Sequence, residues 1–187
     1  GTIDYDDGDR VYLYFGMRRG GYHYYAVDVT TRTSPKLLWR IGRADAGIAV
    51  DSAKELPAVG QTWSSPTVAR VNIDRTWGSN TDKMVLIFGG GYDTTQDDLN
   101  YAEDTFGRGV YMVDALTGNL LWRAGPDSGA DLQLTEMRHS IPGDVRVIDL
   151  TGDGYADRMY AADLGGRIWR FDIFNGESRA NLVTGGV

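Results

Sequence analysis

The sequence predicts an all-β protein, and more narrowly a partial β-propeller of about three blades, each an antiparallel four-stranded sheet. Three observations predict it. The 187 residues include 25 Gly and 11 Tyr but few stretches with a helical period, the mark of short strands joined by many turns. One strand ending recurs, as Tyr25-Ala26-Val27-Asp28, Tyr111-Met112-Val113-Asp114 and Trp169-Arg170-Phe171-Asp172. The last two have Gly118 and Gly176 four residues after the Asp, and the first two run on into Leu-Leu-Trp-Arg at 37–40 and 120–123. The Asp residues stand 86 and then 58 residues apart, as expected if one unit carries insertions. Strand-turn-strand units recurring at roughly 40–50 residues or more are the blades of a propeller.

Residues 1–10 read as an acidic turn. Asp4, Asp6 and Asp9 are too irregularly spaced for a strong second cation site. Val11–Gly16 is a β-branched and aromatic strand, 17–21 a loop with Arg18 and Arg19 in solvent, Tyr22–Val29 the next strand and Leu37–Arg40 a third. Residues 42–61 have no strong period and read as an insertion, with room for a helical turn within 44–54. Thr67–Val71 is a strand, 72–82 turns back, and Lys83–Phe88 is a nearly unbroken apolar run, as in a central strand buried on both faces. Residues 92–107, with Asp93, Asp97, Asp98, Glu103 and Asp104, read as a long, solvated acidic loop. Strands follow at 109–114 and 119–123, then a loop at 125–138, strands at 145–148, 158–161 and 167–172, and a tail to Val187 that begins one more strand.

The blade pieces are then 9–42 (its start missing), 64–124 and 140–184, all within one domain, 1–187. Three blades do not close a ring, for which four is about the minimum, so the chain is expected to be a fragment of a longer one. Trp39 and Trp122 are expected between blades, where a large flat side chain buries most area.

Composition narrows the function. With 26 acidic against 19 basic residues, a net charge of −7 argues against a nucleic-acid surface. No apolar run is long enough to span a bilayer. Cys is absent, which excludes a disulfide framework and thiol chemistry. His23 and His139 are far apart in sequence and read as strand or loop residues rather than catalysts.

The stretch with chemical content is Asp149-Leu150-Thr151-Gly152-Asp153-Gly154-Tyr155-Ala156-Asp157. Oxygen-bearing side chains stand at its first, third, fifth and ninth positions, and Tyr155 at the seventh offers its backbone carbonyl. That is the spacing by which a short loop wraps a hard cation, and Gly154 at the sixth position permits the sharp reversal. Both flanks read as strands, so the loop joins strands rather than helices. The twelfth position, where a bidentate Glu would close an EF-hand shell, is Tyr160; Asp157 must therefore end the site. Carbonyl and flexible carboxylate donors favour Ca2+ over Mg2+, and Zn2+ is disfavoured without Cys or His nearby. The competing reading is an Asp/Gly-rich hairpin turn.

Several segments together resemble a known family. Strands ending Tyr-Met-Val-Asp-Ala-x-Thr-Gly-x-Leu-Leu-Trp are similar to quinoprotein-type propeller repeats. Gly-Gly-Tyr-Asp-Thr-x-Gln-Asp (90–97), Ser-Ile-Pro-Gly-Asp-Val-Arg-Val-Ile-Asp (140–149), Gly-Asp-Gly-Tyr-Ala-Asp-Arg-Met-Tyr (152–160) and Gly-Gly-Arg-Ile-Trp-Arg-Phe-Asp (165–172) resemble the C-terminal propeller of the PilY/PilC proteins of type IV pili. The resemblance implies a non-enzymatic, calcium-regulated module of an exported adhesin of a Gram-negative bacterium. It would stand at the pilus tip or outer membrane, with pilins, minor pilins and host-cell receptors as partners and Ca2+ occupancy governing extension, retraction, twitching motility and adhesion. Carried over, the family's ligands fall on Asp149, Thr151, Asp153, the Tyr155 carbonyl and Asp157, with Thr151 a neutral donor where Asp or Asn is common. No Arg-Gly-Asp occurs. Two alternatives stay open: a piece of a quinone-cofactor dehydrogenase, and a passive scaffold whose ion is purely structural. Fold alone does not carry the dehydrogenase chemistry.

Overall fold

β-branched and aromatic runs become strands, and Gly-rich breaks become the turns between them. The computed structural model describes residues 8–44, 51–73, 82–98, 100 and 102–187. Among these, three sheets follow one another along the chain. The first is β1 (Tyr12–Gly16), β2 (His23–Asp28) and β3 (Lys36–Gly42). The second is β4 (Thr67–Asn72), β5 (Asp82–Gly89), β6 (Val110–Asp114), β7 (Leu120–Gly125) and β8 (Leu132–Gln133). The third is β9 (Arg146–Ile148), β10 (Arg158–Ala162), β11 (Ile168–Ile173) and β12 (Val183–Gly186). Each strand pairs with its sequence neighbour, as in a propeller blade. No α-helix forms among the described residues; the irregular 44–54 stretch contributes a single 3-10 turn, Ser52–Lys54, capped by the Asp51 carboxylate.

Strand number departs from four per blade at two places. Among the described residues the first sheet has three strands, and the second gains β8, which pairs parallel to β7 within the stretch read as a loop. Asp131 accounts for β8. Its carboxylate accepts from the Arg123 amide at 3.0 Å and from Arg179 at 2.6 and 2.8 Å, which draws the neighbouring residues against the edge of β7.

Alternation along β5 and β6 decides how the sheets stack. Leu86, Phe88, Tyr111 and Val113 point toward the first sheet and pack with Tyr24, Ala26, Trp39 and Ile41. Val85, Ile87, Val110 and Met112 point the other way, joining Trp122 against Met159, Ala161, Trp169 and Phe171 of the third sheet. A strand buried on both faces has no polar face to spare, hence the unbroken apolar run at 83–88. Trp39 and Trp122 both lie buried between sheets, Trp122 edge-on to Phe171. The repeat is also visible in the backbone: register shifts fall between Ala26 and Val27, and again between Met112 and Val113.

The acidic 92–107 segment is not a purely solvated loop. Asp93 and Asp104 are 2% and 3% exposed. Asp93 gathers the amides of Thr95, Thr105 and Phe106 at 2.7–3.0 Å, and Asp104 takes the Ser140 amide at 2.6 Å and the Gln96 side chain at 2.7 Å. Asp97 remains partly exposed and pairs with Arg19 at 2.8 Å. Asp4 and Asp6 lie outside the described residues.

Candidate metal centre

The loop 149–157 joins β9 to β10. Its reversal rests on Gly152 and Gly154, with φ of +75° and +88°, where a side chain would strain the backbone. The remaining geometry comes from carboxylates folding back onto loop amides. Asp149 accepts from Gly152 at 2.6 Å and Gly154 at 2.8 Å. Asp157 accepts from the amides of Leu150 and Thr151 at 2.7 and 3.0 Å. The Thr151 hydroxyl lies between them, 3.4 Å from Asp149 and 3.2 Å from Asp157. Positions one, three and nine of the loop therefore meet at one hydroxyl. Asp153 does not join them: its carboxylate turns onto the Tyr155 amide at 2.9 Å.

Amide donation by Gly154 and Gly152 holds the Asp149 carboxyl below the usual carboxylate range. Asp149 thus offers a charged oxygen donor across the neutral pH range. Among the described residues no three His, Cys, Asp or Glu side chains are gathered closely enough to hold a metal ion. The donor chemistry nonetheless fits a hard cation: three carboxylates, a hydroxyl and a free-standing backbone carbonyl are all oxygen. Each Asp149 oxygen holds one amide and keeps a further lone pair, and Asp157 takes both of its amides on Oδ2, which leaves Oδ1 for an ion, so amide contacts and ion contacts are compatible.

The loop's last third is fastened to the second sheet, by residues that spacing along the sequence does not reveal. The Ala156 amide donates to the Arg70 carbonyl at 2.8 Å, and the Ala156 carbonyl accepts from Asn175 at 2.9 Å. The Arg70 guanidinium sits 4.7 Å from the centre of the Tyr155 ring. Arg70 and Asp82 lie diagonally across adjacent strands, two positions apart in register, and Asn175 lies in the repeat turn. Only the recurrence of that turn was a signal in the sequence.

The two histidines are separate. His23 is on β2, its pKa lowered first by burial and then by Arg40. His139 lies before the third sheet, buried, its Nδ1 3.8 Å from Asp104.

Comparison with known proteins settles the family. The profile of the PilY1 beta-propeller domain matches residues 1–182. The chain belongs to this family. It is 31% identical over 175 residues to type IV pilus biogenesis factor PilY1 of Pseudomonas aeruginosa, covering 88% of this chain and 12% of that protein. A PilY1 homologue of Xylella fastidiosa is 28% identical over 177 residues, covering 90% and 10%. The chain thus spans about a tenth of the length of these relatives. It also superposes on the crystal structure of the P. aeruginosa PilY1 C-terminal domain with a TM-score of 0.59 and 28% identity, over 90% of this chain and 30% of that one. The all-β propeller fold and the family resemblance read from the sequence are both correct. The relatives are named as biogenesis factors rather than enzymes, and no helix among the described residues is long and apolar enough to cross a membrane.

Proposed function

We propose that this propeller is a non-enzymatic, calcium-binding module of a type IV pilus biogenesis and tip-adhesin protein. Asp149, Thr151, Asp153, the Tyr155 carbonyl and Asp157 are its ion ligands. The observation that carries the reading is a loop with oxygen donors at positions one, three, five, seven and nine and left-handed glycines at four and six, set between strands of a PilY1-family propeller. A bound divalent cation supplies the positive charge that offsets the three carboxylates. The chain's part is to keep them ionised and close. Amides hold Asp149 and Asp157 in place, and Asp153 must swing from the Tyr155 amide to join them. Drawing the carboxylates together stiffens the hairpin, so that a partner surface forms on occupancy.

The parent protein is exported and stands at the cell surface, pilus tip or outer membrane of a Gram-negative bacterium. Its partners are pilins or minor pilins and host-cell receptors, and occupancy governs extension, retraction, twitching motility and adhesion. The support is that the relatives are named as type IV pilus biogenesis factors. Calorimetric titration with CaCl2 tests the ligand set. Asp157→Ala is expected to abolish tight binding with an unchanged β-sheet circular dichroism spectrum, and an unaltered affinity rejects the assignment. A purely structural ion predicts instead that Ca2+ raises the melting temperature with no change in affinity for pilins.

A further inference from the structure

Reading 149–157 as a cation loop leaves open what orients its one backbone ligand. The Tyr155 carbonyl and the Ala156 amide belong to the same peptide group. No described peptide bond is cis, and in a trans peptide the C=O and N–H point in opposite directions. The Ala156 N–H is spent on the Arg70 carbonyl at 2.8 Å. The Tyr155 carbonyl is therefore directed away from β4, and its direction is set by a residue of the neighbouring sheet.

The side chains repeat the grip. Arg70 lies over the Tyr155 ring at 4.7 Å. Its guanidinium is held by Asp82, with Nε 2.8 and 2.9 Å from the two carboxylate oxygens and Nη2 in close contact with one of them. Asp82 sits opposite Asn72 on β5, so the planar fork cannot leave the ring without breaking a bidentate pair. A second fastening runs beside it: Asn175 donates to the Ala156 carbonyl and accepts from the Asn72 amide, both at 2.9 Å. The peptide after Tyr155 is thus held on both its neighbours by the strand that bounds the second sheet.

We propose that Arg70, braced by Asp82, is a positioning residue for the cation loop, and that ion occupancy is thereby coupled to the junction of the second and third sheets. Neither side chain is a ligand. Arg70 acts through Tyr155, and coupling of this kind is reciprocal: what ion binding does to the junction, the junction does to ion affinity.

Charge and position predict opposite signs, which makes the proposal testable. A guanidinium near Asp153 repels a cation, so its removal on electrostatic grounds alone tightens binding. Positioning predicts the reverse. In calorimetric titrations of the full chain with CaCl2, Arg70→Ala and Tyr155→Leu are each expected to weaken affinity about five- to tenfold, within the usual range of coupling factors. The double variant should be no weaker than the worse single one. Arg70→Lys keeps the charge and loses the fork; with a circular dichroism spectrum matching wild type as the check on folding, its affinity is expected to fall between. Amide hydrogen exchange gives a second readout: Ca2+ should slow exchange at Ala156 and Asn72 together in the wild type, and at the loop alone in Arg70→Ala. Equal or tighter binding in Arg70→Ala and Arg70→Lys, or an Asn72 amide indifferent to Ca2+, overturns the coupling while leaving the ligand set intact. Absence of heat from the wild type at millimolar Ca2+ overturns the ligand set, and the coupling with it.

Discussion

The indole N–H of Trp39, on the first sheet, donates to the carbonyl of Ala115, in a turn of the second, at 3.0 Å. The same indole stacks on Tyr14 at 5.9 Å between ring centres, so the tryptophan that recurs in the repeat closes a polar gap as well as an apolar one. Trp39→Phe keeps most of the apolar contact and leaves a carbonyl without its donor. It is expected to lower stability by about 1–3 kcal/mol, the range for a buried group left unsatisfied. Trp39→Ala should lower it by about 3–5 kcal/mol, as transfer and cavity effects add. Urea denaturation followed by circular dichroism measures both, and a Trp39→Phe midpoint equal to that of wild type would refute the separate role of the N–H.

Gly118 and Gly176 occupy the same place in successive repeats, and both have positive φ, +74° and +94°. Their surroundings differ. A Cβ on Gly118 would stand 2.9 Å from Ile41 and from the Trp39 ring, while one on Gly176 meets nothing within 4 Å. Gly176→Ala is expected to lower stability by about 1–2 kcal/mol through backbone strain alone. Gly118→Ala should lower it further, by about another 1–3 kcal/mol, because the sheet interface is overfilled. Parallel thermal melts give the ordering, and a smaller loss at Gly118 contradicts the packing described here.

Fold class, repeat and buried central strand were legible because each leaves a local trace: a period, a turn glycine, an apolar run. The oxygen-bearing positions of the 149–157 loop were legible for the same reason, since alternate residues of one short stretch carry them. What holds that stretch was not. Arg70 reads as an ordinary strand cation until β4 is laid beside Tyr155, and Asp82 gains its meaning only from pairing across β4 and β5. The acidic 92–107 segment misled for a related reason. Charge density points to solvent, but Asp93 and Asp104 are buried because loop amides, distant along the chain, converge on them. β8 was hidden likewise, since a two-residue strand has no period and Asp131 places it through partners on β7 and near the C-terminal strand.

Asn175 provides a direct measure of how firmly the two sheets are joined. It donates to the Ala156 carbonyl and accepts from the Asn72 amide. Asn175→Ala removes both bonds at once and is expected to lower stability by about 1–3 kcal/mol. Asn175→Asp keeps the acceptor and loses the donor, so it should recover part of the loss. Chemical denaturation of the two variants beside wild type checks the order; an aspartate no better than alanine means that the Asn72 bond contributes little.

Asp93 should set part of the acid limit of stability. Burial acts to raise its pKa, but donation by the Phe106, Thr95 and Thr105 amides outweighs it, and the net shift is downward. A carboxyl depressed in the folded state stabilises fully above its unfolded value, about 3.9, and that contribution disappears as pH falls through the lower folded value. Asp93→Asn removes the charge and the titration together. At neutral pH the variant is expected to be less stable by about 1–3 kcal/mol, since amides that faced an anion now face a neutral amide. The gap should narrow as pH falls below 4, because only the wild type has something left to lose. Thermal melts from pH 7 down to 2.5 report the difference directly: two curves that stay parallel across that range would show that Asp93 organises the loop through shape alone.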